Sequence, residues 1–277
     1  LQALLSACAD VEQSQEEAVL ASVVKVEGSA YRRPGARMLI SMLGMTEGTI
    51  SGGCLESAVA QKAWWLTERG RPVLHRYSSA AGEDEEDGLF GLGCNGTLHL
   101  LLERHSHASP APAIGLLREI VRQGQPGAMA RVIVCPAQGP IRLGQYLLCE
   151  PRDVWRSDLA DESFRAELTQ ALQQTLHDGR STSQRYNTAE GEVEVFCEYI
   201  AAPRRLLIFG AGHDAQPLVD MAKLMGLHVT VIDSRSHFAR PGRFPRADSV
   251  RCLGLESPFD WATLADGAAA LVMSHSY

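Results

Sequence analysis

Two cysteines stand in surroundings that suit sulfur chemistry. Cys54 lies in Gly48-Thr49-Ile50-Ser51-Gly52-Gly53-Cys54-Leu55-Glu56, where an apolar strand ends in Ser-Gly-Gly and a helix begins. Helix starts favour thiolate over thiol, and flanking glycines expose sulfur rather than bury it. Cys54 is therefore the candidate reactive thiol, with Gly52 and Gly53 shaping its turn. Cys94 repeats the theme in Gly91-Leu92-Gly93-Cys94-Asn95-Gly96, just ahead of another strand. Upstream of both, the loop Gly28-Ser29-Ala30-Tyr31-Arg32-Arg33-Pro34-Gly35-Ala36-Arg37 gathers three arginines. Guanidinium forks match phosphate and carboxylate, so Arg32, Arg33 and Arg37 form a candidate anion clamp. Together these features point to one anionic ligand with sulfur chemistry beside it, and a Cys54–Cys94 pair would also suit a soft metal. Glu56 reads as an ordinary first-turn carboxylate favoured by the helix dipole. The pair His105 and His107 falls on a linker and is assigned no chemistry.

A second set of chemically suggestive residues lies near the other end. The apolar strand Arg205–Phe209 runs into Gly210-Ala211-Gly212-His213-Asp214-Ala215, a helix pattern follows to Gly226, and the strand HVTVID closes on Asp233. This is the G-x-G-x-x-A form of the dinucleotide fingerprint. Gly210 supplies the tight turn, Gly212 lets a phosphate approach the backbone, and Asp233 is placed to accept from a ribose hydroxyl. His213 is expected in the first helical turn, where the dipole disfavours its charged form. LVMSHSY reads as the fourth strand of the same sheet.

These residues need elements to position them. A helix is expected to about Val11, a buried strand over Ala18–Val26, a hairpin from Arg37–Ser41 and Met45–Ile50, a helix over Leu55–Arg69, and a strand at Leu98–Glu103. Beyond the Pro-containing linker within 105–112 come a helix over Ala113–Gly124, three strands (VIVC, QYLLCE, VEVFCEYI) and a helix around Leu159–His177. The expected fold is α/β: a mixed α/β domain over residues 1–199, then a Rossmann-type parallel-sheet domain over 203–277. Cys135, Cys149 and Cys197 sit in strand-like runs and read as buried core thiols. The stretch GEDEEDG at 82–88 reads as a solvated loop.

Composition limits the partners. A net charge of −7 offers no basic face for nucleic acid. No apolar run reaches the length of about 18–20 residues that a membrane span needs. The seven cysteines are dispersed with no C-x-x-C pair, which argues against a zinc ribbon and fits a reduced, cytoplasmic setting. On these residues alone three functions stay open: a cofactor-binding chaperone, an NAD(P)-dependent oxidoreductase with Cys54 as nucleophile, and a persulfide sulfur carrier. The second lacks a general base of clear placement.

GSAYRRPGARMLI, GTISGGCLES, GLGCNG, LLIFGAGHDAQPL and VTVIDSR, in that order, resemble the XdhC/CoxI family of molybdenum-hydroxylase maturation factors. The resemblance covers about residues 17–277, loosely over 104–195; Asn95 stands where the family more typically has glycine. It implies a factor without turnover of its own that binds molybdenum cofactor (molybdopterin), supports replacement of an oxo ligand by sulfur, and delivers the cofactor to an apo-hydroxylase such as xanthine dehydrogenase. Implied partners are that apo-enzyme and a cysteine desulfurase, with a homodimer as the assembly to test. Carried onto this chain, Cys54 and Cys94 would lie near molybdenum, and Arg32, Arg33 and Arg37 would hold the pterin phosphate. Gly210, Gly212, His213 and Asp233 would hold a nucleotide such as NAD or the nucleotide arm of a dinucleotide cofactor.

Overall fold

The computed structural model describes residues 1–78, 96–254 and 256–273. The acidic stretch 82–88, Cys94 with residues 91–95 of its motif, and residues 274–277 lie outside these. The chain divides into two compact units, Leu1–Glu119 with Pro126–Ile200, and Ile120–Gln125 with Ala201–Tyr277.

The first unit opens with α1 (Gln2–Gln13), β1 (Glu17–Gly28), β2 (Arg37–Ser41), β3 (Thr46–Gly48), α2 (Glu56–Leu66), β4 (Val73–Ser78) and β5 (Gly96–Ser106). The five strands form an antiparallel sheet in the order β3-β2-β1-β5-β4. After α3 (Pro112–Gln123), a second antiparallel sheet is built from β6 (Gly127–Val134), β7 (Tyr146–Glu150), β8 (Val154–Ser157), β9 (Thr182–Thr188) and β10 (Gly191–Ile200), with α4 (Glu162–Asp178) between β8 and β9. Its order is β8-β7-β6-β10-β9.

Alternation sends the residues of each sheet to two different cores. Val19, Ala21 and Val23 of β1 join Leu55, Val59 and Ala63 on and just before α2. Ala128, Ala130 and Val132 of β6 join Phe164, Leu168 and Leu172 of α4. The opposite faces meet in a smaller cluster of Val24, Leu101, Ile133 and Phe196. Three ion pairs flank that cluster: Lys25 Nζ lies 2.8 Å from Glu194 Oε1, Arg131 Nη2 lies 2.7 Å from Glu103 Oε1, and Arg37 pairs with Glu198. This explains why β1 is buried along most of its length and lacks a polar alternation.

The second unit holds β11 (Arg205–Phe209), α5 (Ala215–Leu224), β12 (His228–Asp233), β13 (Ser249–Cys252), α6 (Trp261–Ala265) and β14 (Ala268–Val272). Its parallel sheet has the order β13-β12-β11-β14. That is the 3-2-1-4 sequence of a doubly wound nucleotide fold; the fourth strand, β14, starts earlier than read from LVMSHSY and shares only Leu271 and Val272 with it. The fold is thus mixed α/β, with antiparallel sheets first and a Rossmann-type parallel sheet after them.

Several local expectations shift. The hairpin's second strand ends at Gly48: the Thr49 N–H makes the last bond to β2, at the Arg37 carbonyl, and the amides of Ile50 and Ser51 turn away to Glu56. The helix expected from Leu159 begins at Glu162, where Asp161 caps the Phe164 N–H at 3.0 Å. Cys149 and Cys197 are buried in strands, but β6 ends at Val134 and leaves Cys135 half-buried before Pro136. His105 is not on a linker: it closes β5, fully buried, with Nδ1 accepting from Ala111 N–H at 3.2 Å and burial lowering its pKa. No helix among the described residues is long and apolar enough to cross a membrane.

Candidate functional site

The topology of the first sheet gathers the sequence motifs at one end. Because β1 runs antiparallel to β2 and β5, its middle sits beside the first residue of β2 and its last residues beside the first residues of β5. Gly28 pairs with Gly96, and Ser22 with Arg37. The arginine loop leaves β1 on this side, the Ser-Gly-Gly-Cys turn leaves β3 here, and β5 enters at Gly96. Gly96 packs against the Ser29 carbonyl so closely that a Cβ there would stand 2.2 Å from the oxygen.

The cysteine turn is held by Glu56. Its Oε1 accepts from the Thr49 hydroxyl (2.5 Å) and the N–H groups of Ser51 (2.9 Å) and Ile50 (3.2 Å). Its Oε2 accepts from the Ser51 hydroxyl and the Leu55 N–H (3.2 Å). Burial works against the charged carboxylate, but the hydrogen bonds from Ser51 and Thr49 outweigh it and hold its pKa at about 2. Glu56 is therefore more than a first-turn charge: it ties the strand end to the helix start. Gly53 takes φ +108 within the turn, a conformation a side-chain-bearing residue would resist. Cys54, immediately before the α2 N-cap residue Leu55, is left exposed, its thiol 3.6 Å from the Ser51 hydroxyl.

The arginine loop splits. The Tyr31 ring lies against Gly52, with 3.4 Å between its Cγ and the position of a Cβ on that glycine, and Arg32 Cζ is 5.5 Å from the ring centroid. Arg32 and Arg33 are exposed. Arg37 points the other way: its side chain is 7% exposed, Nη1 donates to Glu198 Oε1 and the Gly35 carbonyl (both 2.9 Å), and Nη2 pairs with Glu198 Oε2. The expectation for Arg37 is thus corrected: it is committed to joining the sheets and leaves only Arg32 and Arg33 exposed in the loop.

In the second unit, Gly210 takes φ +114 and donates its N–H to the Ile232 carbonyl at 2.8 Å, which bends the chain at the end of β11. His213 lies exposed ahead of the α5 N-cap residue Asp214, not in the first helical turn, because the helix begins only at Ala215. Asp233 reaches across to this loop: Oδ2 accepts from Ala211 N–H at 2.8 Å. Arg235 fills the remaining positions, and its hydrogen bonds, ahead of that amide, hold the carboxyl well below the usual carboxylate range.

Among the described residues no three His, Cys, Asp or Glu side chains gather as a metal site. Sequence reasoning missed Glu56 as a clamp, Tyr31 as the contact between two motifs, and Arg235. It also missed a cleft of about 800 Å³ elsewhere in the first unit, lined by Arg71, Cys135, Arg142 and Asp158 among others.

Comparison with known proteins adds an independent line. A family model described as the XdhC and CoxI family matches residues 11–78, and one described as the XdhC Rossmann domain matches residues 206–277. The chain is 31% identical over 265 residues to a Bacillus subtilis (strain 168) protein named as a probable xanthine dehydrogenase subunit, covering 96% of this chain and 74% of that protein. It is 35% identical over 101 residues to the Escherichia coli (strain K12) protein named molybdenum cofactor insertion chaperone PaoD, covering 36% of this chain and 30% of that protein. A solved structure described as a xanthine dehydrogenase from Bacillus halodurans shares the fold with a TM-score of 0.62 at 24% identity, over 98% of this chain and 74% of that one.

Proposed function

The chain belongs to the XdhC and CoxI family, and we propose that it serves molybdenum-cofactor maturation as a binding and insertion factor without turnover of its own. The observation that carries the reading is the corner at Ser51–Cys54. It presents an exposed thiol on a turn that Glu56 makes rigid, with Tyr31 and the exposed Arg32 beside it. A soft sulfur donor next to guanidinium groups suits a cargo that carries both a soft metal and a phosphate. Arg32 and Arg33 would meet the phosphate and Cys54 would face the molybdenum; Cys94 remains a second candidate for that role.

In finer detail, residues 1–199 handle the cofactor, and 203–277 bind a nucleotide at Gly210 and Gly212, either a free dinucleotide or the nucleotide arm of the cofactor. A cysteine desulfurase supplies sulfur, an apo-hydroxylase of the xanthine dehydrogenase type receives the product, and the factor acts in the cytoplasm, with a homodimer as the assembly proposed. Anaerobic purification followed by molybdenum and pterin analysis tests the core of this. Cofactor should accompany the wild-type protein, and Cys54→Ala should weaken its uptake. Full uptake in Cys54→Ala and in Cys94→Ala would remove the cysteine assignment, and absence of both metal and pterin from protein coexpressed with the cofactor pathway would remove the reading. A one-sulfur adduct on Cys54 after incubation with a cysteine desulfurase would support a persulfide stage.

A further inference from the structure

We propose that the nucleotide corner of the second unit selects a ribose bearing a 2′-phosphate over a plain ribose diol. The inference rests on the reading that the Gly210–Gly212 turn receives a nucleotide. In such corners the group closing the second strand meets the ribose. A free carboxylate accepts from the 2′-hydroxyl, whereas a nearby arginine accommodates a 2′-phosphate.

Asp233 stands at that place but is not free. Oδ2 accepts from Ala211 N–H and Arg235 Nη2, both at 2.8 Å, and Oδ1 accepts from Arg235 N–H and Nε, both at 2.9 Å. Two consequences follow. A ribose diol would have to displace Arg235 to reach the carboxylate. The negative charge that would otherwise repel a 2′-phosphate is compensated.

The group offered to solvent is the guanidinium. The Arg235 side chain is 51% exposed against 4% for Asp233. Asp233 takes only two of its side-chain N–H donors, which leaves the Nη1 edge for a ligand. Its position is fixed by an aromatic platform, with Cζ 4.1 Å from the Phe238 ring centroid. Arg243 Cζ lies 4.9 Å from the same centroid, and Nη1 of that arginine is pinned by the carbonyls of Ala211 (2.8 Å) and Phe238 (3.2 Å). Nη2 of Arg243 is buried with no partner among the described residues. Arg240 follows in the same loop and is exposed. Residues 233–243 therefore carry three arginines against one carboxylate, in a chain whose net charge is −7. A phosphomonoester dianion on the ribose, as in NADP-type dinucleotides, fits this edge; an unphosphorylated ribose leaves it unused.

Calorimetric titration of the full chain with NADP⁺, NAD⁺ and inorganic phosphate tests the inference. NADP⁺ should bind about tenfold or more tightly than NAD⁺, the gain expected of one charge-assisted pair, while phosphate alone binds far more weakly than either. Arg235→Gln should abolish the preference and leave NAD⁺ binding unchanged or stronger, since Asp233 is then released to a ribose. Arg235→Lys should fall between, because it keeps the charge and loses the planar fork. Phe238→Leu keeps Arg235 and should narrow the preference by removing its platform. Circular dichroism on each variant confirms folding. Equal or tighter binding of NAD⁺ to the wild type, or a preference that survives Arg235→Gln, overturns the inference while the nucleotide reading stands. Binding of neither dinucleotide overturns both.

Discussion

Each unit contains one corner where a strand passes through glycines into a helix, and a carboxylate fastens both. At the first corner the clamp is local: Glu56, on the helix itself, reaches back over the turn to residues 49–51 and to Leu55. At the second it comes from the neighbouring strand: Asp233 takes one amide of the glycine loop, and Arg235 closes over the rest. The first clamp is consumed inside the corner, so the group presented outward is the Cys54 sulfur. The second is topped by its own partner, so the group presented outward is a guanidinium. Similar backbone corners thus present an exposed sulfur in one case and a cation in the other, and the difference lies in how each carboxylate is satisfied.

The comparison breaks most readily at Glu56. Replacing it by alanine leaves the N–H groups of Ile50 and Ser51 and the Ser51 hydroxyl without their acceptor, while the Thr49 hydroxyl keeps the Ser51 carbonyl and the Leu55 N–H keeps the Ser51 hydroxyl; each group so stranded costs about 1–3 kcal/mol where it is buried. The corner is only partly buried, so Glu56→Ala should lose about 3 kcal/mol, read as a lower denaturation midpoint, with faster hydrogen exchange in peptides covering 49–56. An unchanged midpoint would mean that the turn holds its shape without the clamp.

Protonation should remove part of that same stabilisation. The carboxyl titrates near 2 in the folded chain against 4.5 ordinarily, so the unfolded chain binds the proton more readily. The contribution is fully present above about pH 4.5 and fades as pH falls toward 2. Glu56→Gln should flatten the wild-type stability slope over that window. If wild type and Glu56→Gln lose stability in parallel on acidification, the lowered pKa has been assigned to the wrong group.

Asp233→Asn should cost less, about 1 kcal/mol. The amide oxygen can still accept from Ala211, and the ion pair lost is with a half-exposed arginine, where solvent screening limits its worth. A loss as large as that of Glu56→Ala would show that the second corner depends on its clamp as heavily as the first, and the contrast between local and borrowed clamps would fail.

The Rossmann corner was largely legible in the sequence because its signals are local: strand, glycines, helix and acidic residue fall within some thirty positions. The arginine and Ser-Gly-Gly-Cys motifs of the first unit were legible as chemistry, but the sheet end that brings them together depends on β1 pairing antiparallel with β2 and β5. Arg37 shows the cost of that gap. Its type and loop argued for a ligand clamp, while its partner Glu198 lies 161 positions away, a pairing that no local pattern announces. Glu56 was visible at a helix start, yet periodicity carries no information on how tightly the preceding turn folds back. The edge strand β9, TSQRYNT, lacked the apolar alternation that would have marked it, because neither of its faces is deeply buried.

The smallest expected effect bears most directly on the thiol. Cys54 is exposed, and its one polar contact among the described residues is a weak S–H···O approach to Ser51 at 3.6 Å. Cys54→Ala should therefore shift stability by less than about 0.5 kcal/mol, as surface substitutions do. Alkylation of wild-type Cys54 should be faster than that of Cys149 or Cys197, whose thiols burial pushes up to about 11 and about 12. Peptide mass analysis after brief iodoacetamide treatment reads this order. A Cys54→Ala variant as unstable as Glu56→Ala, or a Cys54 modified no faster than Cys197, would make the sulfur a part of the corner's packing. The first corner would then present nothing that the second does not, and the cofactor reading would have to rest on Arg32 and Arg33 alone.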